Sequence, residues 1–299
     1  MKKGNVILKI FFGTIGAFAL SYVCAAAGNV NDSYPTSLAL KYSEEVNDQI
    51  DLNYSKDFDE KDLDSLEIET VSADLAVERG EADHVSLNIQ GRFSAPNKDP
   101  EQIIKYKIEG RKLLIKTREA EQSDKSFFRF NMGPQDGMAR LRLPASIKNV
   151  VIKTVSGDVG MQKFELDSLA VKTVSGDFNS DTISSKNADF KTVSGDFHLI
   201  GSFDSLGFQS ISGDLDLGFF SGTTRANISS TSGDVKLKLT DAPDLTLNFS
   251  SVSGELEYDP EFGEPESESS KQSKTFGRGT GSINVKTISG DVSVARQRL

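Results

Sequence analysis

One tripeptide recurs along this chain at a nearly constant spacing and limits how the chain can fold. Ser-Gly-Asp occurs six times and Ser-Gly-Glu once, with central glycines 18 to 21 residues apart except for a last interval of 36, close to two periods. In an eighth, degenerate copy, Ala73 replaces the glycine. Such a period predicts stacked supersecondary units. The turn glycines are Gly157, Gly176, Gly195, Gly213, Gly233, Gly254 and Gly290.

The residues around each turn form columns when the copies are aligned on the glycine. The positions five before and two after it are apolar in every copy, which predicts a β-strand on each side of the turn with one face buried. The position three before it is always Thr or Ser, and we expect this small hydroxyl to bond the same residue one repeat away. The glycine is expected to adopt positive φ, and the Ser and Asp side chains to bond nearby backbone N–H groups.

Two all-β architectures satisfy this pattern. In a parallel β-solenoid each period is one coil, and seven or eight coils would form a rod about 35 Å long. In an antiparallel meander or sandwich each Ser-Gly-Asp would close a hairpin. The recurrence of identical residues in columns favours the solenoid, because it rewards the stacking of like residues.

The remaining segments divide around the repeats. Residues 64–149 hold the degenerate copy and two predicted hairpins, 75–78 with 85–89 and 104–108 with 113–116, which we interpret as an N-terminal β cap. Residues 150–299 are the repeat solenoid, with 260–274 as an excursion loop and with Arg296 and Arg298 suiting an exposed last coil. Residues 28–63 are acidic, lack a strand pattern and are predicted to be a flexible or partly helical linker.

The first 27 residues have the features of a signal peptide. Lys2, Lys3 and Lys9 precede an apolar stretch over 10–23, which is followed by three alanines at 25–27. The apolar stretch is shorter than the span of about 20 residues that crosses a membrane. We therefore expect export to the periplasm or cell surface. Membrane attachment is expected only if Cys24, the single cysteine, is lipidated.

The charge of the chain argues against some partners. Its formal net charge is −10, and acidic residues cluster between 44 and 67. Nucleic-acid binding relies on basic surfaces that neutralise phosphates, so a nucleic-acid partner is not expected.

The repeated motifs resemble the bacterial putative-adhesin domain family of unknown function. The resemblance lies in the stretch from Leu141 to Asp158, the later Ser-Gly-Asp copies and the Gly277–Gly281 segment, and it spans about 65–295. It implies a right-handed parallel β-helix in an exported or envelope protein, without catalytic residues to transfer. The insertion after Tyr258 departs from the family pattern.

A column of carboxylates follows the turn glycines and is the main chemical feature of the sequence. In a solenoid these acids would line one edge, where they repel each other unless compensated. We expect bonds to turn N–H groups and a lysine column (Lys153, Lys172, Lys191, Lys286) to compensate them. The alternative is a site for divalent cations such as calcium, which prefer oxygen ligands. The candidate ligands are Asp158, Asp177, Asp196, Asp214 and Asp234, and Glu255 and Asp291 continue the column.

A polysaccharide lyase or hydrolase on a β-helix is a further alternative. However, every acid of the column belongs to the repeat, and His84 and His198 lie outside any visible constellation, with His198 in a solvated slot. We therefore predict a non-catalytic envelope protein without a cofactor. It would act as an adhesin-like binding or scaffold module for an unidentified envelope protein or glycan.

Overall fold

The computed structural model describes residues 49–60, 62–94, 104–117, 137–219, 225–240, 243–262 and 270–297. This part of the chain is all β apart from one short 3-10 helix, Pro260–Phe262, which confirms the predicted class. The strands are β1 (Gln49–Phe58), β2 (Ser65–Glu69), β3 (Asp74–Arg79), β4 (Val85–Ser94), β5 (Ile104–Glu109), β6 (Lys112–Thr117), β7 (Met138–Leu143), β8 (Asn149–Lys153), β9 (Val159–Lys172), β10 (Phe178–Lys191), β11 (Phe197–Gln209), β12 (Leu215–Phe219), β13 (Arg225–Ser229), β14 (Val235–Leu239), β15 (Leu245–Ser250), β16 (Leu256–Tyr258), β17 (Lys271–Phe276), β18 (Gly281–Lys286) and β19 (Val292–Arg296).

The repeats stack in parallel and in register, as solenoid-like coils rather than hairpins. Strands that precede a repeat corner form the first sheet, together with β5, β6 and β17 at its ends. Its order is β5-β6-β2-β8-β9-β10-β11-β13-β18-β15-β17. Strands that follow a corner form the second sheet, together with β1, β4 and β7 at one end. Its order is β1-β4-β7-β3-β9-β10-β11-β12-β14-β19-β16. Strands β9, β10 and β11 belong to both sheets because each runs from one corner to the next.

The order of coils in space departs from their order in the chain at the C-terminal end. The last repeat, β18 and β19, pairs with β13 and β14 on one side and with β15 and β16 on the other. The outermost copy is therefore the one containing Gly254, and the chain returns to insert the Gly290 copy beneath it. This corrects the expectation that Arg296 marks an exposed last coil; Arg298 lies outside the described residues.

The chain reaches that inner position by crossing the end of β15 in a glycine turn. Gly277 and Gly279 have φ values of 62° and 73°, a region that favours glycine. Oδ1 of Asp244 accepts hydrogen bonds from the backbone N–H groups of Arg278 (2.7 Å) and Thr280 (3.3 Å). Burial alone would raise the pKa of Asp244, but these hydrogen bonds hold it below its usual value. Asp244 thus fixes the crossing that places the last repeat inside the stack.

At the N-terminal end, too, the order of the strands in the sheets differs from their order in the chain. Strands β6 and β7, although later in the chain, pair in parallel outside β2 and β3, so β7 separates β3 from β4. The predicted hairpin of 75–78 with 85–89 is therefore wrong, whereas that of 104–108 with 113–116 is confirmed as β5 and β6. Apolar alternation does not identify the strand that pairs with β3, because β3 has the same apolar pattern whichever strand lies beside it.

Two segments without a predicted strand contain one. Strand β1 lies within 28–63 and pairs antiparallel with β4, because Leu52 and Phe58 on it are buried in the core. Strand β17 lies partly within 260–274 and pairs antiparallel with β15, at the edge of the first sheet. Its residues alternate between exposed and half-buried, which explains why no apolar alternation marked it.

Inward-facing side chains from both sheets fill the centre of the coils. The middle coils hold a run of phenylalanines with ring centroids 5.4 to 5.7 Å apart, from Phe178 through Phe190 and Phe197 to Phe208. All four are fully buried. Such ring contacts add about 0.5–1.5 kcal/mol per pair to the free energy of burial. The apolar columns seen in the sequence are therefore the core of the stack.

A second corner explains why one repeat is shorter than its neighbours. Lys163 and Thr182 adopt left-handed φ values of 59° and 58° at this corner. In the next coil the pairing of β10 with β11 shifts between Ser180 and Ile183, so that Ile183 faces Gly201. At this corner the coil of β11 has one residue fewer than the coils of β9 and β10. Its period is therefore 18 residues instead of 19, and the Ser-Gly-Asp columns stay aligned.

No helix in the described part of the chain is long and apolar enough to cross a membrane. The predicted signal peptide over 1–27, including Cys24, lies outside the described residues.

Candidate functional site

The carboxylate column forms a hydrogen-bonded ladder along the corner edge. In each coil, Oδ1 of the aspartate accepts a hydrogen bond from the backbone N–H of the corresponding acid in the next coil. The ladder starts at Asp74 in the degenerate copy and ends at the N–H of Glu255. Its donor-to-acceptor pairs are Asp158 to Asp74 (3.0 Å), Asp177 to Asp158 (2.9 Å), Asp196 to Asp177 (2.8 Å), Asp214 to Asp196 (2.8 Å), Asp234 to Asp214 (2.8 Å), Asp291 to Asp234 (2.8 Å) and Glu255 to Asp291 (2.9 Å).

The serine of each corner also binds the neighbouring coil. Both the hydroxyl and the backbone N–H of Ser194 donate to the carbonyl oxygen of Val174, at 3.3 and 2.9 Å. Ser212 does the same with Val193. The serine and the aspartate thus both join successive coils. The aspartate accepts a backbone N–H as expected, although from the next coil, whereas the expected bond of the serine to a nearby N–H is wrong because its hydroxyl donates to a carbonyl oxygen.

The turn glycines are required by close packing rather than by positive φ. None of the seven has a φ in the left-handed region, which corrects the sequence-based expectation. Instead, a Cβ added to any of them would lie 2.0 to 2.1 Å from the carbonyl oxygen of the residue stacked below. That residue is Ala73 for Gly157 and another turn glycine for the rest. The coils approach so closely here that no side chain fits between them.

Each hydroxyl of the buried column that precedes a turn glycine bonds that glycine within its own corner. Thr192 Oγ1 accepts a hydrogen bond from the N–H of Gly195 at 2.8 Å, and the same contact recurs in the other glycine-containing copies at 2.6 to 3.1 Å. The expected bond to the same residue one repeat away is therefore wrong. The reason is proximity: the glycine N–H three residues on is a buried donor that needs a partner.

The lysine column does not face the carboxylate ladder. Lys153 Nζ lies 2.5 Å from Glu67 Oε1 and 2.7 Å from Glu69 Oε1 on the outer face of the first sheet, and Lys191 lies 3.5 Å from Asp189. The backbone N–H groups, rather than the lysines, are therefore the partners of the ladder. Hydrogen bonds from Lys112 and then Lys153 lower the pKa of Glu67 from 4.5 to about 2.

The predicted cation ligands keep an exposed edge but form no chelating cluster. Each has committed Oδ1 to the next coil, which leaves Oδ2 towards solvent. Within the described ranges, no group of three or more His, Cys, Asp or Glu side chains is placed to hold a metal ion. The two histidines are apart: His84, in the turn before β4, lies 3.8 Å from Asp57 Oδ1.

The second sheet brings together one group that the sequence analysis missed. His198 Nδ1 and Lys238 Nζ lie 3.3 and 2.7 Å from Oδ2 of Asp216 on the outer face. His198 and Asp216 occupy the same slot three residues after the glycine, and parallel stacking makes them direct neighbours. This shared position is the sequence feature from which the contact can be predicted. His198 is therefore half-exposed and next to a carboxylate, not simply solvated.

A model of one protein family matches the chain over residues 63–202 and 124–295, which together span nearly all the described strands. The chain belongs to the Toastrack DUF4097 family. This match confirms the resemblance drawn from the Ser-Gly-Asp copies to a putative-adhesin domain family of unknown function. The comparison with curated proteins found no significant match.

Several solved structures resemble this Toastrack DUF4097 chain. A putative adhesin from Bacteroides fragilis NCTC 9343 is 15% identical, with 81% of this chain and 97% of that one covered and a TM-score of 0.47. A putative lipid binding protein from Parabacteroides distasonis ATCC 8503 is 16% identical, with 82% and 97% covered and a TM-score of 0.45. A putative cell adhesion protein from Clostridium sporogenes ATCC 15579 is 15% identical, with 83% and 100% covered and a TM-score of 0.34.

Proposed function

We propose that this protein is an exported, non-catalytic module of the cell envelope, built as a right-handed parallel β-helix with an N-terminal antiparallel cap, which binds or scaffolds an envelope partner. One observation carries the proposal. The polar groups of the repeat are engaged in bonds between successive coils and within their own corners, and the outer faces of the two long sheets are left for contact. A stiff stack with extended flat faces is a typical binding surface of repeat proteins.

Export and handedness are supported by general rules. Residues 1–27 combine a lysine-rich start, an apolar stretch and small residues before the mature region, as secretory signals do. Right-handed crossovers are the rule for parallel strands of one sheet. Strands β5, β4 and β1 are the antiparallel elements of the proposed cap.

The non-catalytic assignment is supported by what the repeat acids do. Each aspartate of the ladder uses one carboxylate oxygen to accept a backbone N–H, at 2.8 to 3.0 Å. The ladder aspartates share this contact, whereas an active site would need one acid to differ from the others.

Cell fractionation with crosslinking tests this proposal. We expect the protein in the periplasmic or surface fraction, cleaved after Ala27, and crosslinked to envelope components through residues on the outer faces of the sheets. A matched variant, Leu20→Arg, interrupts the apolar stretch and should leave uncleaved protein in the cytoplasm. Cytoplasmic location of the unmodified protein, or a mature chain that retains residues 1–27, would contradict the proposal.

A further inference from the structure

The outer face of the first sheet is hollowed where small residues replace larger ones. Ala170 and Gly207 lie at the same outward position, one on each side of Asp189, and the hollow there has a volume of about 310 Å³. Ser168, Asn187, Asp189 and Ser205 surround it. A second hollow of about 270 Å³ lies next to it, and both are lined by Asn227. Together they form a groove that runs along the stack across the first sheet.

A ladder of asparagines continues the groove towards the C-terminal end. Asn248 Nδ2 donates to Asn284 Oδ1 at 3.0 Å, and Asn284 Nδ2 donates to Asn227 Oδ1 at 3.1 Å. Ser273 Oγ donates to Asn248 Oδ1 at 2.8 Å. A primary amide has two N–H donors and two acceptor lone pairs. After these bonds Asn284 keeps one donor and one acceptor for a ligand, in an orientation that its neighbours fix.

The chemistry of the groove selects among ligands. It lies in the interior of the sheet, where backbone N–H and C=O groups are already paired with neighbouring strands, so an extended peptide could not add as a strand there. Only side chains are available, and they are mainly amides and hydroxyls, with Asp189 in the first hollow and Lys286 in the second. The carboxylate of Asp189 is balanced by Lys191 at 3.5 Å. The amides and hydroxyls, each able to donate and accept, match the hydroxyl groups of a sugar.

We propose that this groove binds a linear, uncharged glycan chain lying along the stack. The inference rests on the proposed function and names the ligand class of that binding module. Asn227, Asn284 and Asn248 repeat the same polar position in three successive coils, about 4.8 Å apart, so a polymer can contact several coils at once. The overall charge of −10 disfavours an acidic polysaccharide.

Filling the groove provides the test. Gly207→Thr places a β-branched side chain in a strand, where it is favoured, and its Cβ would meet only the movable carboxylate of Asp189, at 3.2 Å. Gly160→Thr is the matched control on the outer face of the second sheet, where the nearest atom, the Leu75 carbonyl oxygen, is 3.9 Å away. Equal thermal unfolding of the two variants and the unmodified protein establishes that both are folded.

The probes are linear hexasaccharides of β-1,4-linked glucose, α-1,4-linked glucose and β-1,4-linked N-acetylglucosamine, titrated by calorimetry and by NMR of the asparagine side-chain amides. We expect at least one to bind and to shift the amide signals of Asn227 and Asn284. Gly207→Thr should weaken that binding by at least about tenfold, and Gly160→Thr should keep it within about twofold.

The proposal is overturned if no hexasaccharide binds, if Gly207→Thr binds as well as the unmodified protein, or if only an unstructured Ser/Thr-rich peptide occupies the groove. Failure of the glycan proposal is distinguishable from failure of the proposed function. An envelope location with crosslinks to protein neighbours would keep the latter even when no sugar binds.

Discussion

Gly254 packs directly on the carbonyl oxygen of Gly290, a residue 36 positions later in the chain. A Cβ added to Gly254 would lie 2.0 Å from that oxygen, and one added to Gly290 would lie 2.1 Å from the carbonyl oxygen of Gly233. The final repeat is therefore held between two earlier ones. Glycine at these corners is a requirement of stacking, which leads to the first prediction.

Gly195→Ala should destabilise the protein strongly, because the new Cβ would lie 2.0 Å from the carbonyl oxygen of Gly176 and the coils would have to separate. We expect a loss of about 2–4 kcal/mol in the free energy of unfolding, measured by urea denaturation. Gly160→Ala, whose Cβ has its nearest contact at 3.9 Å, is the control and should change stability by less than about 1 kcal/mol. Similar losses for the two variants would refute the packing explanation.

Asp196→Ala should cost about 1 kcal/mol, because it removes the acceptor of the Asp214 N–H. Asp196→Asn retains an oxygen in the same place and should be close to neutral. Urea denaturation of the pair separates the hydrogen bond from the charge. If the asparagine variant is as unstable as the alanine variant, the negative charge rather than the accepted hydrogen bond matters.

Calcium should have little effect on this protein. Each ladder aspartate has one oxygen occupied by the adjacent coil, and no cluster with three candidate ligands occurs in the described part of the chain. We expect the same melting temperature in excess chelator and in millimolar calcium. A rise with calcium that disappears in Asp196→Asn would instead favour the cation site.

Glu67→Gln should reduce stability at neutral pH and matter less in acid. Lys112 and Lys153, from the strands on either side of β2, lower the pKa of Glu67 from 4.5 to about 2. A carboxylate whose pKa falls on folding contributes stability above its unfolded pKa and loses it as pH falls through its folded pKa. The variant should therefore lose about 2 kcal/mol at pH 7, and the difference should shrink between about pH 4.5 and 2.

Urea denaturation across that pH range measures the effect. Glu165→Gln is the matched control, since the exposed Glu165 side chain has no ion pair within the described ranges, and it should stay within about 0.5 kcal/mol at every pH. A pH-independent difference for Glu67→Gln would show that the ion pairs do not contribute as argued.

The columns of the sequence predicted the all-β class, the corner position of each tripeptide and the buried strands beside it. They succeeded because like residues at a fixed period, such as Phe178 and Phe197, become direct neighbours in a parallel stack. The same logic applied to the outward slots places His198 next to Asp216.

The sequence did not predict the exchange of coils at the two ends. Copies containing Gly254 and Gly290 have equivalent columns, so either could stack on Gly233 without changing which side chains are buried. The choice is made by the crossing turn at Gly277 and Gly279 and its bonds to Asp244, which have no counterpart elsewhere in the repeat. The groove was missed for a related reason, since Ala170 and Gly207 form a hollow only because the stacked strands place them on either side of Asp189.

Disulfide trapping of neighbouring coils tests the central claim, that the last repeat is inserted inside the stack, most directly. In a Cys24→Ser background, Asn227→Cys with Asn284→Cys joins adjacent strands, about 4.8 Å apart, within the Cα range for a disulfide. Asn227→Cys with Asn248→Cys spans two strands, about 9.6 Å, which is too far. We predict that mild oxidation of the folded protein closes the first pair and leaves the second reduced, as read by mass spectrometry. Closure of the second pair but not the first would contradict the inserted order and show that the repeats stack in chain order.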